Sequence, residues 1–405
     1  QPSTRGLAWI WRQPPKLQAE GSNPSVCAFL FWPYSSFTST NYLFHSGHRR
    51  STYDHKVNHV DQRTLDHVSA DSFTGLGAVR TYSEHKMETT EQARGLGGAA
   101  CKVPIPLAGL MLGLASAGNM ISEYHEGLKA LFGLLSLFAL SLLATRLLYD
   151  AAKFKEELKD PAVAGIACTI PMGVSILSTY MEPSLPGIAY AIWVSMIALH
   201  FALMAYFTWA FMPKLEVRKL LPAYFVTYVG IAVGAVTAPT FGAHTIGQLL
   251  FWFGFASYLV LLPLIAYRAV VVRGVPEPIM PSMAIFAAPA SLCLAGYLRS
   301  FETRELWLVG IMFALSLSSY FVIIAYLPRL LRLRFYPSIS AFTFPLVISA
   351  IATNATFEYL LTEGIDQPIF QWLAWLEVVF ALAIILYVIV RYIHFFWVKD
   401  LLARS

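Results

Sequence analysis

Apolar residues in this chain come in long blocks, not in the alternation of a strand or the single stripe of a surface helix. From Pro104 onward, blocks of 18–27 mostly apolar residues are separated by short polar stretches. A helix that crosses a bilayer needs about 20 such residues. The blocks therefore predict ten spans, near 104–122, 128–150, 161–181, 186–210, 222–242, 246–270, 281–298, 306–328, 337–358 and 369–395. The expected fold class is an all-α polytopic membrane protein, and residues 101–405 form its transmembrane domain.

The odd-numbered segments share a layout. Each opens on a proline (Pro104, Pro161, Pro222, Pro281, Pro337), at intervals of 57, 61, 59 and 56 residues. A fixed period of this kind argues for stacked copies of one unit, here a helical hairpin. Five parallel copies predict ten helices as five hairpins around a central pore. Eight to ten residues after each opening proline comes a helix-weakening residue: Gly113, Pro171, Gly230, Pro289 or Pro345. At 1.5 Å per residue this is about 12–15 Å along a helix, close to the middle of a hydrocarbon core about 30 Å thick. Irregular backbone at that depth is tolerated where it is buried in protein or lines a cavity. The five residues are thus candidate pore-lining helix breaks. The alternative is close packing through small residues, since Gly109/Gly113 and Gly230/Gly234 both have GxxxG spacing.

The stretch YPSISAFTFPLVISAIAT, residues 336–353, shows the plan most fully. Phe342 and Phe344 come just before its second proline, Pro345, and Phe344 is large enough to plug a narrow axis. The odd segments carry no ionisable side chain over most of their length. The even ones are bulkier and richer in tryptophan (Trp193, Trp209, Trp252, Trp307, Trp372, Trp375, Trp397), as expected of a lipid-facing ring.

Composition agrees with a membrane protein: 57% hydrophobic, 13% charged and a mean hydropathy of +0.56, against about 25% charge in a soluble domain. The net charge of +5 is no nucleic-acid signal, because the basic residues sit largely in short loops. Sixteen Lys/Arg fall on one side of the predicted spans and three (Lys129, Arg299, Arg304) on the other. The positive-inside rule then places both termini in the cytoplasm of a cell bounded by the plasma (inner) membrane. Lys214, Arg218, Arg332 and Arg334, with Lys153, Lys155 and Lys219, would form a cytoplasmic mouth that concentrates anions. The absence of an acidic ring argues against a cation channel.

Residues 1–100 are polar, rich in Ser, Thr and His, and without period. The first methionine is Met87. The segment reads as a non-native leader or translated upstream sequence, with the natural start at Met87, or else as a disordered tail. Its five histidines (His45, His48, His55, His59, His67) lack the further ligands a metal site needs. The four cysteines (Cys27, Cys101, Cys168, Cys293) form no CxxC pair and read as small apolar residues.

Intramembrane ionisable residues mark coupled transport. The candidates are His200 and Glu377, both on even segments; hydrogen-bonded packing for His200 and an inter-helix or subunit contact for Glu377 are the plainer readings. His244 sits near the outer end of the fifth segment, where water reaches it. Paired carboxylates, a GxSxG elbow and a phosphate-binding loop are missing, so a membrane-embedded enzyme is a distant alternative. No cofactor is expected.

IPLAGLMLGLASAGN (105–119), PSMAIFAAPASLCLAGY (281–297) and FYPSISAFTFPLVISAIAT (335–353) resemble the tellurite-resistance/dicarboxylate transporter family. That family includes bacterial tellurite-resistance proteins, fungal malate and sulfite transporters and plant slow anion channels. The resemblance covers about 104–396 and implies a ten-helix, five-hairpin anion pore, usually a homotrimer, closed by a phenylalanine of the ninth helix. By motif position that residue is Phe344, with Phe342 in reserve. Members often begin the third helix with His-Pro, where this chain has Asp160-Pro161. The implied substrates are small anions such as C4-dicarboxylates, or alternatively sulfite, tellurite or another oxyanion.

Overall fold

The computed structural model describes residues 103–122 and 125–404, with the backbone alone for 397–404. The expectations for residues 1–100, among them the start at Met87, the five histidines and Cys27, lie outside the described residues, as does Cys101.

Among the described residues every regular element is helical. Eight segments are long and apolar enough to cross a membrane: Glu126–Tyr149, Pro161–Met181, Pro186–Lys214, His244–Val272, Glu277–Ser300, Leu306–Leu331, Pro337–Thr362 and Pro368–Phe396. Two of the ten expected spans fall short of that length, and the reasons are local. The first, Leu107–Ile121, starts only after Pro104 and Pro106. The fifth divides into Ala223–Tyr228 and the helix Gly230–Phe241, each too short to span.

Two populations separate by burial. The third, seventh and ninth segments are 78–89% buried inside the protein. All of Leu107–Ile121 except Asn119 is buried as well. The second, fourth, sixth, eighth and tenth segments are only 22–39% buried. They present large apolar side chains outward, including Phe138, Trp209, Trp252, Trp307 and Trp372. In water this surface would be costly; against lipid tails it is neutral.

The odd segments pack on one another in chain order, and the ninth packs on the first, which closes an inner ring. Small residues permit the close approach, as expected where no hydrophobic force drives helices together. A Cβ on Gly113 would stand 2.3 Å from Thr343 Oγ1, and one on Gly165 would stand 2.8 Å from the Ala223 carbonyl. Thr343 also donates to the Gly109 carbonyl at 3.1 Å.

Buried polar groups join the inner ring to the outer one. Ser136 donates to the Met111 carbonyl, Ser291 meets Ser316, and His200 Nε2 lies 3.0 Å from the Thr227 carbonyl. Glu377 is fully buried, and Thr353 donates to its Oε2 at 3.0 Å. Arg146 is buried too; it donates to the Val103 carbonyl and pairs with Glu157, anchoring the entry to the first segment. Cys168 and Cys293 are buried free thiols.

Candidate functional site

The inner segments change character partway along. The third divides at Cys168, between Pro161–Ala167 and Thr169–Met181. The fifth tightens into a 3₁₀ turn at Gly230–Ala232. The seventh runs as 3₁₀ helix over Glu277–Ala287 before turning α at Ala288, and the ninth as 3₁₀ over Pro337–Phe342 before turning α at Thr343. Pro171, Pro289 and Pro345 therefore sit in the first turn of an α-helix. There a missing N–H leaves no helical carbonyl unpaired and φ is already suitable. The sequence suggested helices kinked at an interior proline; the structure has joints between two helical forms, each just before or at the marked residue.

Gly113 is a correction. It lies within the uninterrupted helix Leu107–Ile121, so the first segment has no break at this level. A lone glycine lowers helix propensity by only about 1 kcal/mol, and here its use is contact with Thr343.

Two chambers lie inside the ring. One is narrow, about 50 Å³, and takes lining from the N-terminal parts of all five inner segments: Gly109 and Leu112, Ile166 and Met172, Val229 and Gly230, Ile285 and Pro289, Ser340 and Pro345. This N-side chamber is almost wholly apolar. The other, about 360 Å³, is lined from the C-terminal parts and is polar, with Ser116, Asn119, Thr179, Thr237, Thr240 and Asn354 on its wall. Lys129, Glu182 and Arg299 also border this C-side chamber. Two residues border both chambers, Phe344 and Leu292. Phe344 is 7% exposed, so little of its ring is open to either chamber.

The other candidates divide. Gly230, Pro289 and Pro345 line the N-side chamber. Pro171 lines a separate small pocket with His200. Phe342 is a further correction to the pair of candidate plugs: it is fully buried in a different packing cluster, near the tenth segment, and borders neither chamber. Residues two apart do not share a helical face, so only one of the two phenylalanines can meet the axis.

Among the basic candidates, Lys214 and Lys219 border one surface cavity with Pro161 and Tyr224. Lys219 is hydrogen-bonded to Glu216, and that contact holds the Glu216 carboxyl below its usual range. Arg218 is exposed, and its carbonyl accepts from buried Arg268. Arg332 is exposed at a helix end, and Arg334 bonds Tyr336 and lies 3.7 Å from Glu277. None of the four lines either axial chamber. Asp160, which stands where the family often has histidine, caps the third segment by accepting from the Ala162 N–H at 2.7 Å.

Sequence reasoning missed Leu292 and the charged wall of the C-side chamber. A signal for Leu292 existed: Ile285, Pro289 and Leu292 recur at helical spacing on one face. Lys129 and Arg299 stood out only as two of three basic residues on an otherwise acidic side.

No curated protein gives a match to the chain. A family model, described as voltage-dependent anion channel, matches residues 103–393. That match takes in the whole inner ring and both chambers, and the chain belongs to the voltage-dependent anion channel family.

Proposed function

We propose that this protein is a ten-span, five-hairpin pore for small anions, gated by Phe344 and built to pass C4-dicarboxylates. The observation that carries the reading is the position of Phe344, shared with Leu292, between two chambers inside a ring of five segments. The α-helical parts of the third, seventh and ninth segments begin at or beside residues that line the N-side chamber, Thr169, Ala288 and Phe344, and helix N-terminal ends carry partial positive charge. The basic loops put the N-side chamber toward the cytoplasm, with both termini there and the protein in the plasma membrane. Lys214, Arg218, Arg332 and Arg334 then act by raising local anion concentration, not by contact. The family resemblance extends to a homotrimer, which the mass of the detergent-solubilised particle checks.

Flux from liposomes across malate, sulfite, nitrate and chloride tests the reading. Anion flux that exceeds potassium flux, with malate carried, is the expected result. Current that needs no co-ion makes the protein a channel; a strict co-ion requirement makes it a carrier. Potassium flux equal to anion flux would sink the proposal.

A further inference from the structure

The C-side chamber holds charge that the pore itself does not need. Lys129 comes from the second segment and Arg299 from the end of the seventh, and both border this chamber. Neither has an acidic partner among the described residues. Lys129 is held in place: its ammonium stands 5.2 Å from the centre of the Tyr180 ring, and the Tyr180 hydroxyl is fixed on the Ala115 carbonyl at 2.6 Å. The backbone beside Arg299 is pinned as well. Ser300 donates to the Ala235 carbonyl at 2.6 Å, and its own carbonyl accepts from Gln248. Arg299 is exposed and presents a guanidinium with no hydrogen-bond partner among the described residues, carried on that pinned backbone. Glu182 is the one acidic residue on the same wall among the described residues.

We propose that the C-side chamber is a binding site for small dianions, an inference that rests on the anion-pore reading above. Arg299 takes one oxyanion group through its planar fork, a geometry that suits carboxylate. Lys129 meets the second charge as a compact ammonium. The Asn119 amide donates one N–H to Thr179 Oγ1, whose own proton goes to the Ile176 carbonyl, so its second N–H is the one that replaces part of the anion's water. Glu182 limits the affinity, because a conducting site must release what it binds. A monoanion can use one cation at a time and gains less from the pair. Selection therefore happens in the wet chamber, while the apolar passage beyond Phe344 and Leu292 controls the rate.

The test measures succinate and nitrate currents across planar bilayers, with each anion titrated from either face. Lys129→Gln and Arg299→Gln should each raise the half-saturating succinate concentration roughly tenfold, and the nitrate value less than about twofold. Arg299→Lys, which keeps charge without the fork, should fall between. Glu182→Gln should move the succinate value the other way. Elution of each variant at the wild-type volume shows that the fold is intact. Unmoved succinate half-saturation in all of these variants, with wild-type flux present, overturns the site alone. Equal shifts for nitrate and succinate overturn the dianion assignment. A wild-type protein that carries no anion overturns the transport reading and the site with it.

Discussion

The two chambers of this protein are both lined by the five inner segments, the C-side one also by Lys129 of the second and Val378 of the tenth, and they differ in how much polar surface they show. On the N-terminal side of Phe344 the wall is leucine, isoleucine, methionine, valine and glycine, around a space of about 50 Å³. On the C-terminal side serine, threonine, asparagine and three charged residues stand among apolar ones such as Ile176, Val233 and Ile348, around about 360 Å³. An apolar constriction of this size holds few waters and resists a bare charge, since only the helix ends and the hydroxyls of Thr169 and Ser340 answer an ion stripped of its water there. A polar vestibule does the reverse. For the proposed pore, the difference puts the expected barrier to conduction in the apolar half and at its boundary, not at the charged mouth.

The most direct way to break the contrast is to open that boundary. Phe344→Ala should raise anion conductance roughly tenfold or more, because a barrier lowered by about 1.4 kcal/mol suffices for that factor. Leu292→Ala should act in the same direction but less, since leucine fills less of the shared space. Phe344→Trp should leave the pore closed. Unchanged current in Phe344→Ala, from protein that elutes normally, would place the barrier elsewhere.

The second way attacks the ring that both chambers depend on. Gly113→Val would drive a branched side chain into Thr343, whose Oγ1 is already 2.3 Å from a bare Cβ at that position. Overpacking at a tight contact costs about 1–3 kcal/mol. The expected outcome is a lower melting temperature in detergent and poorer recovery, with no gain in conductance. A variant as stable as wild type would mean that the first and ninth segments have room to part.

Much of this was legible in the chain, for a physical reason. A bilayer forces apolar residues into contiguous blocks and forces basic residues into loops, so segments and their pairing can be read without coordinates. Phe344 was legible because Pro345 fixes the level of the joint. What stayed hidden depends on partners far away in sequence. Gly113 looks like a helix break until Thr343 is seen opposite it. Phe342 looks like a second plug until it is found fully buried in a packing cluster away from both chambers. Lys129 lies at the start of the second segment and Arg299 at the end of the seventh, and only the fold brings both to one chamber. The offset of eight or ten residues from opening proline to interior proline marked where the joints fall along the chain but not their form, because local sequence does not reveal where 3₁₀ helix turns into α.

The smallest expected effect sharpens the contrast from its far end. If the barrier is internal and apolar, the basic residues beyond the N-side chamber act only through the local concentration of anions. Arg332 and Arg334 are exposed and line neither chamber, and Arg334 already shares its charge with Glu277. Reversing both, Arg332→Glu with Arg334→Glu, should lower conductance about twofold at 10 mM salt, where the screening length is about 30 Å, and hardly at all at 1 M, where it is about 3 Å. Reversing Arg332 alone should account for the larger share, because its charge has no such partner among the described residues. A loss that persists at 1 M salt would mean that an anion touches these side chains on its path. The passage would then continue past the N-side chamber, and the apolar half would no longer be where conduction is decided.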